Sequence, residues 1–385
     1  SMNSSFINKQ IFRLSKKNYF IIFGSISALF IRLILISSFC DFKISEAFSK
    51  WLLPNVDQKS IVYSDNILSN IGRVYSNNWF CNLIEILGFL PCLIAIDLSL
   101  FAFAYNARKI KVNWLSMCCI FASFIIATIA STYIFDYCFK YAIYCFFGAN
   151  NFDEIYKNSK MLVYVLSAIL SIITIMVGYK MFQLLTDETK TQLFRYAFIT
   201  FISTVIVLIV SVVLLKSLLE RERYRYIYAF SQISSIKGWT SYPSISGSEF
   251  SNLKYGGFRD WWNLGFNKGK FGDITQSFPS GHMIFSSIGF ISIMFIPFVI
   301  KTENKLLNKI YFWVLPALGC FIVGLGRIMA GAHYLSDVTF ALLIVVCCFY
   351  IIYFISNKYC KFIDEITKLK IYISAPTNKE IRTKN

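Results

Sequence analysis

Eight stretches of the chain, near residues 19–40, 84–105, 113–135, 161–184, 196–219, 283–300, 310–330 and 337–356, are mostly apolar. Each runs roughly the 20 residues that a helix needs to cross ~30 Å of hydrocarbon. No water inside a bilayer satisfies a backbone N–H or C=O, so such runs must bond internally. The pattern predicts an all-α fold, a polytopic membrane helical bundle of about eight transmembrane helices. Composition agrees: 56% of the 385 residues are hydrophobic and 15% charged, too much apolar surface for one water-soluble core. The first run follows a basic flank and is longer than the apolar core of a signal peptide, so it is expected to stay as an anchor.

A formal charge of +17 raises nucleic acid as a partner. The distribution excludes it, because the basic residues sit on short connectors and the tail and are not interleaved with base-stacking aromatics. They form a consistent series: Lys9, Arg13, Lys16 and Lys17; Arg108, Lys109 and Lys111; Lys190 and Arg195; Lys301, Lys305 and Lys309; then Lys358, Lys361, Lys368 and Lys370. An excess of Lys and Arg marks the cytoplasmic side of short loops. Both termini are expected there, and the longer connectors 41–83, 136–160 and 220–282 on the opposite face. The 11 cysteines show no CxxC pair and no His/Cys set at zinc spacing, so no metal or cofactor is expected.

Three ionisable residues fall within early runs: Arg32, Glu85 and Asp97. A charge near the centre of a membrane helix costs at least ~2.5–3.5 kcal/mol. These three are expected to pair with one another or to reach toward an interface. A transporter is the rival class that would put them to use.

Polar clusters mark the outer ends of runs five to eight, and they hold both histidines of the chain. Lys216 and Arg223 close run five, Ser280, Gly281 and His282 open run six, and Arg327, His333 and Asp337 join runs seven and eight. Arg forks match the paired oxygens of a phosphate, and a Ser-Gly pair at a helix start favours an anion. His333 and Asp337, four apart, are expected on one helical face, where the carboxylate orients the imidazole and steadies its positive form. His333 is then a nucleophile toward phosphorus, and His282 a general acid for the leaving oxygen. Taken singly, a Ser-Gly-His is an ordinary capped helix start and basic residues at run ends are headgroup anchors. The joint spacing makes the difference.

These motifs resemble the type 2 phosphatidic acid phosphatase (PAP2) superfamily, the integral-membrane lipid phosphate phosphatases. Its K-x6-R-P motif corresponds to Lys216-x6-Arg223-Tyr224, its P-S-G-H to Pro279-Ser280-Gly281-His282, and its S-R-x5-H-x3-D to Gly326-Arg327-x5-His333-x3-Asp337. The resemblance implies phosphate binding by Lys216, Arg223, Ser280, Gly281 and Arg327, acid–base work by His282, a nucleophile in His333 and an orienting role for Asp337. It also implies a phosphohistidine intermediate, no metal, and a six-helix PAP2-like core within residues 111–356. Residues 1–110 then read as additional helices with an outer connector, and 357–385 as a basic cytoplasmic tail. Tyr224 stands for the usual proline and Gly326 for the usual serine, and the lost hydroxyl is expected to weaken a phosphate contact.

The expected partners are the bilayer and a phosphorylated membrane lipid, met at the extracytoplasmic face of an integral membrane protein. The aromatics Trp239, Tyr242, Tyr255, Phe258, Trp261 and Trp262 between runs five and six read as interfacial anchors or as a lid, with Arg259 as a further phosphate ligand. Transfer of the phosphoryl group to a lipid or sugar alcohol is the closest alternative to hydrolysis.

Overall fold

The computed structural model describes residues 16–52, 79–147, 152–228, 258–263, 265–266, 276–299 and 310–374. All eight apolar runs are helical. α1 spans Lys16–Leu52, α2 Trp79–Lys109, α3 Asn113–Phe147 and α4 Phe152–Leu184. α5 spans Asp187–Val207 and continues through a π-helical stretch, Leu208–Leu215, into a last turn, Lys216–Leu218. α6 spans Gly281–Val299, α7 Leu315–Met329 after a π-helical turn at Ile310–Val314, and α8 Leu335–Ser374. Two-residue strands β1 (Leu219–Glu220) and β2 (Gly265–Phe266) pair antiparallel. Among the described residues six helices are long and apolar enough to cross a membrane, and Gly281–Met294 forms a shorter apolar helix. The protein is a helical membrane bundle.

The helices outrun the apolar stretches. α1 continues through the first part of the expected connector 41–83, α3 and α4 take up most of 136–160, and α8 runs into the expected tail. Hydropathy marks only the residues that need lipid, whereas a helix extends wherever a face finds partners. Ser37, Asp41, Ser45 and Ser49 recur every fourth residue of α1 and are all buried. That face lies against α7 and α8, where the Ser49 hydroxyl donates to the carbonyl of Ile328 at 3.2 Å.

The main apolar core joins Cys92 of α2, Ile199 and Val207, Met283, Ile284 and Ile288 of α6, Val323 of α7, and Val345 and Phe349 of α8. α2 packs against α5, α6 and α7, while α3 and α4 pack against each other and against α2, with the Phe101 and Phe182 rings stacked at 6.4 Å. The packing therefore runs across residue 110. α2 and α6 come close at Gly289, where a Cβ would overlap the backbone of Pro91 and Cys92. Two backbones this close admit no side chain between them. Gly289→Val is expected to lower stability by about 1–3 kcal/mol, the range for overpacking, read as a drop in thermal unfolding temperature of the detergent-purified protein.

Candidate active site

The three motif segments meet at one end of the bundle, held by backbone bonds between them. Ser277 N–H donates to the carbonyl of Arg221 at 3.0 Å, Arg225 N–H to Gly331 at 2.9 Å, and Ser280 N–H to Asp337 at 3.2 Å. Gly331 takes a φ of 59°, a left-handed conformation that glycine adopts without strain, and so turns the chain between α7 and α8.

His333 lies in this turn, before α8 begins, so the expected helical spacing to Asp337 does not apply. Its Nδ1 is 2.7 Å from the carbonyl oxygen of Ser277 and 3.8 Å from Asp337 Oδ2. A carbonyl only accepts, so Nδ1 carries the proton and Nε2 the lone pair. The group that orients the imidazole directly is thus Ser277, not Asp337. Asp337 acts one step behind: it accepts from the Ser277 hydroxyl at 2.5 Å, Tyr334 N–H at 2.9 Å and Arg221 Nη1 at 2.5 Å. Burial, then the charges of Arg327, Arg223, Lys216 and His282, hold the His333 imidazole well below its ordinary range. It is neutral, and the cations expected to bind phosphate are those whose fields reach it.

Lys216 Nζ lies 3.2 Å from where a Cβ on Gly281 would stand, which brings the first motif against the second. The Ser280 hydroxyl caps α6, accepting from Met283 N–H at 3.4 Å. Its own N–H is taken by Asp337, so from Ser280 the hydroxyl alone is left to meet an anion. Arg259 presents its backbone carbonyl to Arg221 Nε at 3.0 Å. Phe258 packs on Phe42 and Tyr334, each ring pair 5.2 Å apart, and Trp261 Nε1 donates to the Ser38 hydroxyl at 3.2 Å. These two aromatics tie the loop to α1 and α8, whereas Trp262 is exposed. Trp239, Tyr242 and Tyr255 lie outside the described residues.

Several participants escaped the motif reading. Arg221 is fully buried and joins Asp337 to Asp41 of α1, its Nη2 donating to Asp41 Oδ2 at 2.8 Å and its Nη1 to the Ser336 hydroxyl at 2.6 Å. Its guanidinium also stacks 4.1 Å from the Tyr334 ring centroid. Asp41 further accepts from Ser336 N–H and hydroxyl. Arg223 is buried as well, and among the neighbouring arginines 221, 223 and 225 nothing local distinguishes the one that takes Asp337 and Asp41. Glu85 of α2 carried a signal, an intramembrane carboxylate. It pairs with Arg327 Nη1 and touches His282 Nε2, not with Arg32 or Asp97. Asp97 accepts instead from Ser123, and Arg32 is exposed.

Both departures from the motif pattern have a steric partner in the first two helices. A Cβ on Gly326 would come 2.5 Å from Ile84 Cγ1 of α2, so the usual serine has no room. Tyr224 is buried and packs edge-on against Phe42 of α1, ring centroids 5.3 Å apart.

Residues 192–360 match the family model of the PAP2 superfamily. The match covers α5 to α8, the helices that carry the motifs, and the superfamily is one of phosphatases and phosphotransferases. No curated protein and no solved structure matches the chain.

Breaking one arm of a buried ion network costs about 3–5 kcal/mol, because the surviving charge is left without its partner. Asp41→Asn is therefore expected to lower stability by roughly 3 kcal/mol and to reduce activity with it, measured as thermal unfolding and phosphate release on the same preparation.

Proposed function

We propose that the protein is a lipid phosphate phosphatase that works through a phosphohistidine. The observation that carries this reading is His333: neutral, buried, with its Nδ1 proton committed to Ser277 and the positive fields of Lys216, Arg223 and Arg327 on its ring. In the proposed reaction those cations hold the phosphate oxygens and Nε2 attacks phosphorus. The bond from phosphorus to the lipid oxygen breaks, and that oxygen takes a proton from His282. Water then attacks phosphorus and gives a proton to His282, the bond from phosphorus to Nε2 breaks and inorganic phosphate leaves, so His333 and His282 return to their starting forms. Fixed positive charge at developing negative charge is the main source of acceleration in such a site, and no metal is needed for it. A site at the helix ends suits a phosphate carried at headgroup level, with α1 to α8 in the bilayer and the reaction at the extracytoplasmic face.

His333→Ala is expected to lower inorganic phosphate release from lipid phosphates by about 10⁴-fold or more with unfolding temperature retained. Unchanged release would refute the nucleophile, and label passed to an added alcohol with little free phosphate would identify a transferase. The pH profile gives a separate check. Because the folded His333 holds its proton more weakly than the ordinary histidine value of 6.5, the nucleophile stays neutral below that pH. The acid limb of kcat/KM, corrected for substrate ionisation, is expected below pH 6.5.

A further inference from the structure

We propose that Glu85, which belongs to none of the three motifs, is a positioning residue that sets the proton on His282 and turns Arg327 toward the phosphate. The proposal rests on the phosphatase reading for the roles of those two residues. One Glu85 oxygen, Oε1, accepts from Arg327 Nη1, and the other, Oε2, lies against His282 Nε2 as an ion-pair contact that is not aligned as a hydrogen bond. A carboxylate against a ring nitrogen favours the tautomer with its proton on that nitrogen and steadies the doubly protonated ring. His282 is thus held with Nε2–H, and Nδ1 is the nitrogen left to exchange a proton with the leaving oxygen and with water. His333, with its proton on Nδ1, is fixed in the opposite tautomer. The two histidines enter the reaction prepared for opposite tasks.

Arg327 is prepared in the same way. With Nη1 occupied by Glu85, Nε still has no hydrogen-bond partner among the described residues, although the side chain is buried. The edge formed by Nε and Nη2 is the fork that grips two phosphate oxygens.

The surroundings of Glu85 are built for this contact. Gly88 and Phe89 lie three and four residues further along α2, on the same face. A Cβ on Gly88 would come 2.6 Å from His282 Cδ2, and the Phe89 ring meets the imidazole edge-on at 4.7 Å. One face of α2 thus supplies the charge, the space and the wall that hold His282.

The chain has two histidines, so ¹⁵N-histidine labelling of the purified protein gives only two imidazoles, and His333→Ala assigns them. The expected wild-type spectrum shows His282 protonated at Nε2 and His333 at Nδ1, and Glu85→Gln removes the preference at His282. In kinetics, Glu85→Gln is expected to lower kcat for an alkyl lipid phosphate about 10- to 100-fold. p-Nitrophenyl phosphate, whose leaving group departs without a proton, should lose much less. Equal losses on both substrates, an unprotonated Nε2 on wild-type His282, or a lower KM at unchanged kcat would overturn the proposal, the last marking Glu85 as a mere occupant of the empty phosphate position. Should Glu85→Gln fail to fold, the wild-type spectrum still decides. A wild type that releases no phosphate sinks the phosphatase reading and leaves the tautomer result standing.

Discussion

The Asp337 carboxylate is wholly buried, and the rest of the site is organised around satisfying it. A carboxylate taken out of water needs donors in its place, at a cost of several kcal/mol if they are missing. Three are supplied, by the Ser277 hydroxyl, the Tyr334 backbone and Arg221. Each draws in another part of the chain. Ser277 passes its carbonyl to His333, so the proposed nucleophile is oriented by the residue that the carboxylate fixes. Arg221 is a buried cation with its own need for a second anion, and Asp41 meets it from α1. One buried charge thereby links all three motif segments to the first helix.

Much of this was legible in the sequence, for identifiable reasons. An apolar run of membrane length encodes its helix locally, so all eight helices were visible, while their ends were not. The polar turns of α1 beyond residue 40 are helical because Asp41 and Ser49 find partners on α8 and α7, which no local pattern reveals. The cations and histidines were found by type and spacing, and the structure brings them to one end of the bundle. His333 and Asp337 do come within 3.8 Å, but across the turn at Gly331 and not along a helical face, which leaves the Ser277 carbonyl nearer to the ring. Arg221 was hidden among its neighbours, since inward and outward arginines have the same side chain and differ only in the partners the fold presents.

The family match covers α5 to α8, yet the site does not end there. α1 supplies Asp41 and lays Phe42 on Tyr224, and α2 supplies Glu85 and fills the space beside Gly326 with Ile84. Where this chain departs from the usual motif, the replacement is shaped by an N-terminal helix. The early helices and the motif residues therefore form one packed unit, and their substitutions have to be compatible in pairs.

The π-helical end of α5 has a consequence for how this chain tolerates change in length. Lys216 sits directly after the stretch Leu208–Leu215, its N–H bonding back to the carbonyl of Ser211. A π-stretch is a helix that carries a surplus residue, and such stretches recur at functional sites. A residue lost from an ordinary α-helix rotates everything beyond it by about 100°. Lost from this stretch, it would be largely offset as the π turns tighten to α pitch, and Lys216 would stay near the Gly281 face. The surplus residue thus gives this featureless apolar run a tolerance to single-residue deletion that an ordinary helix leading into a motif lacks.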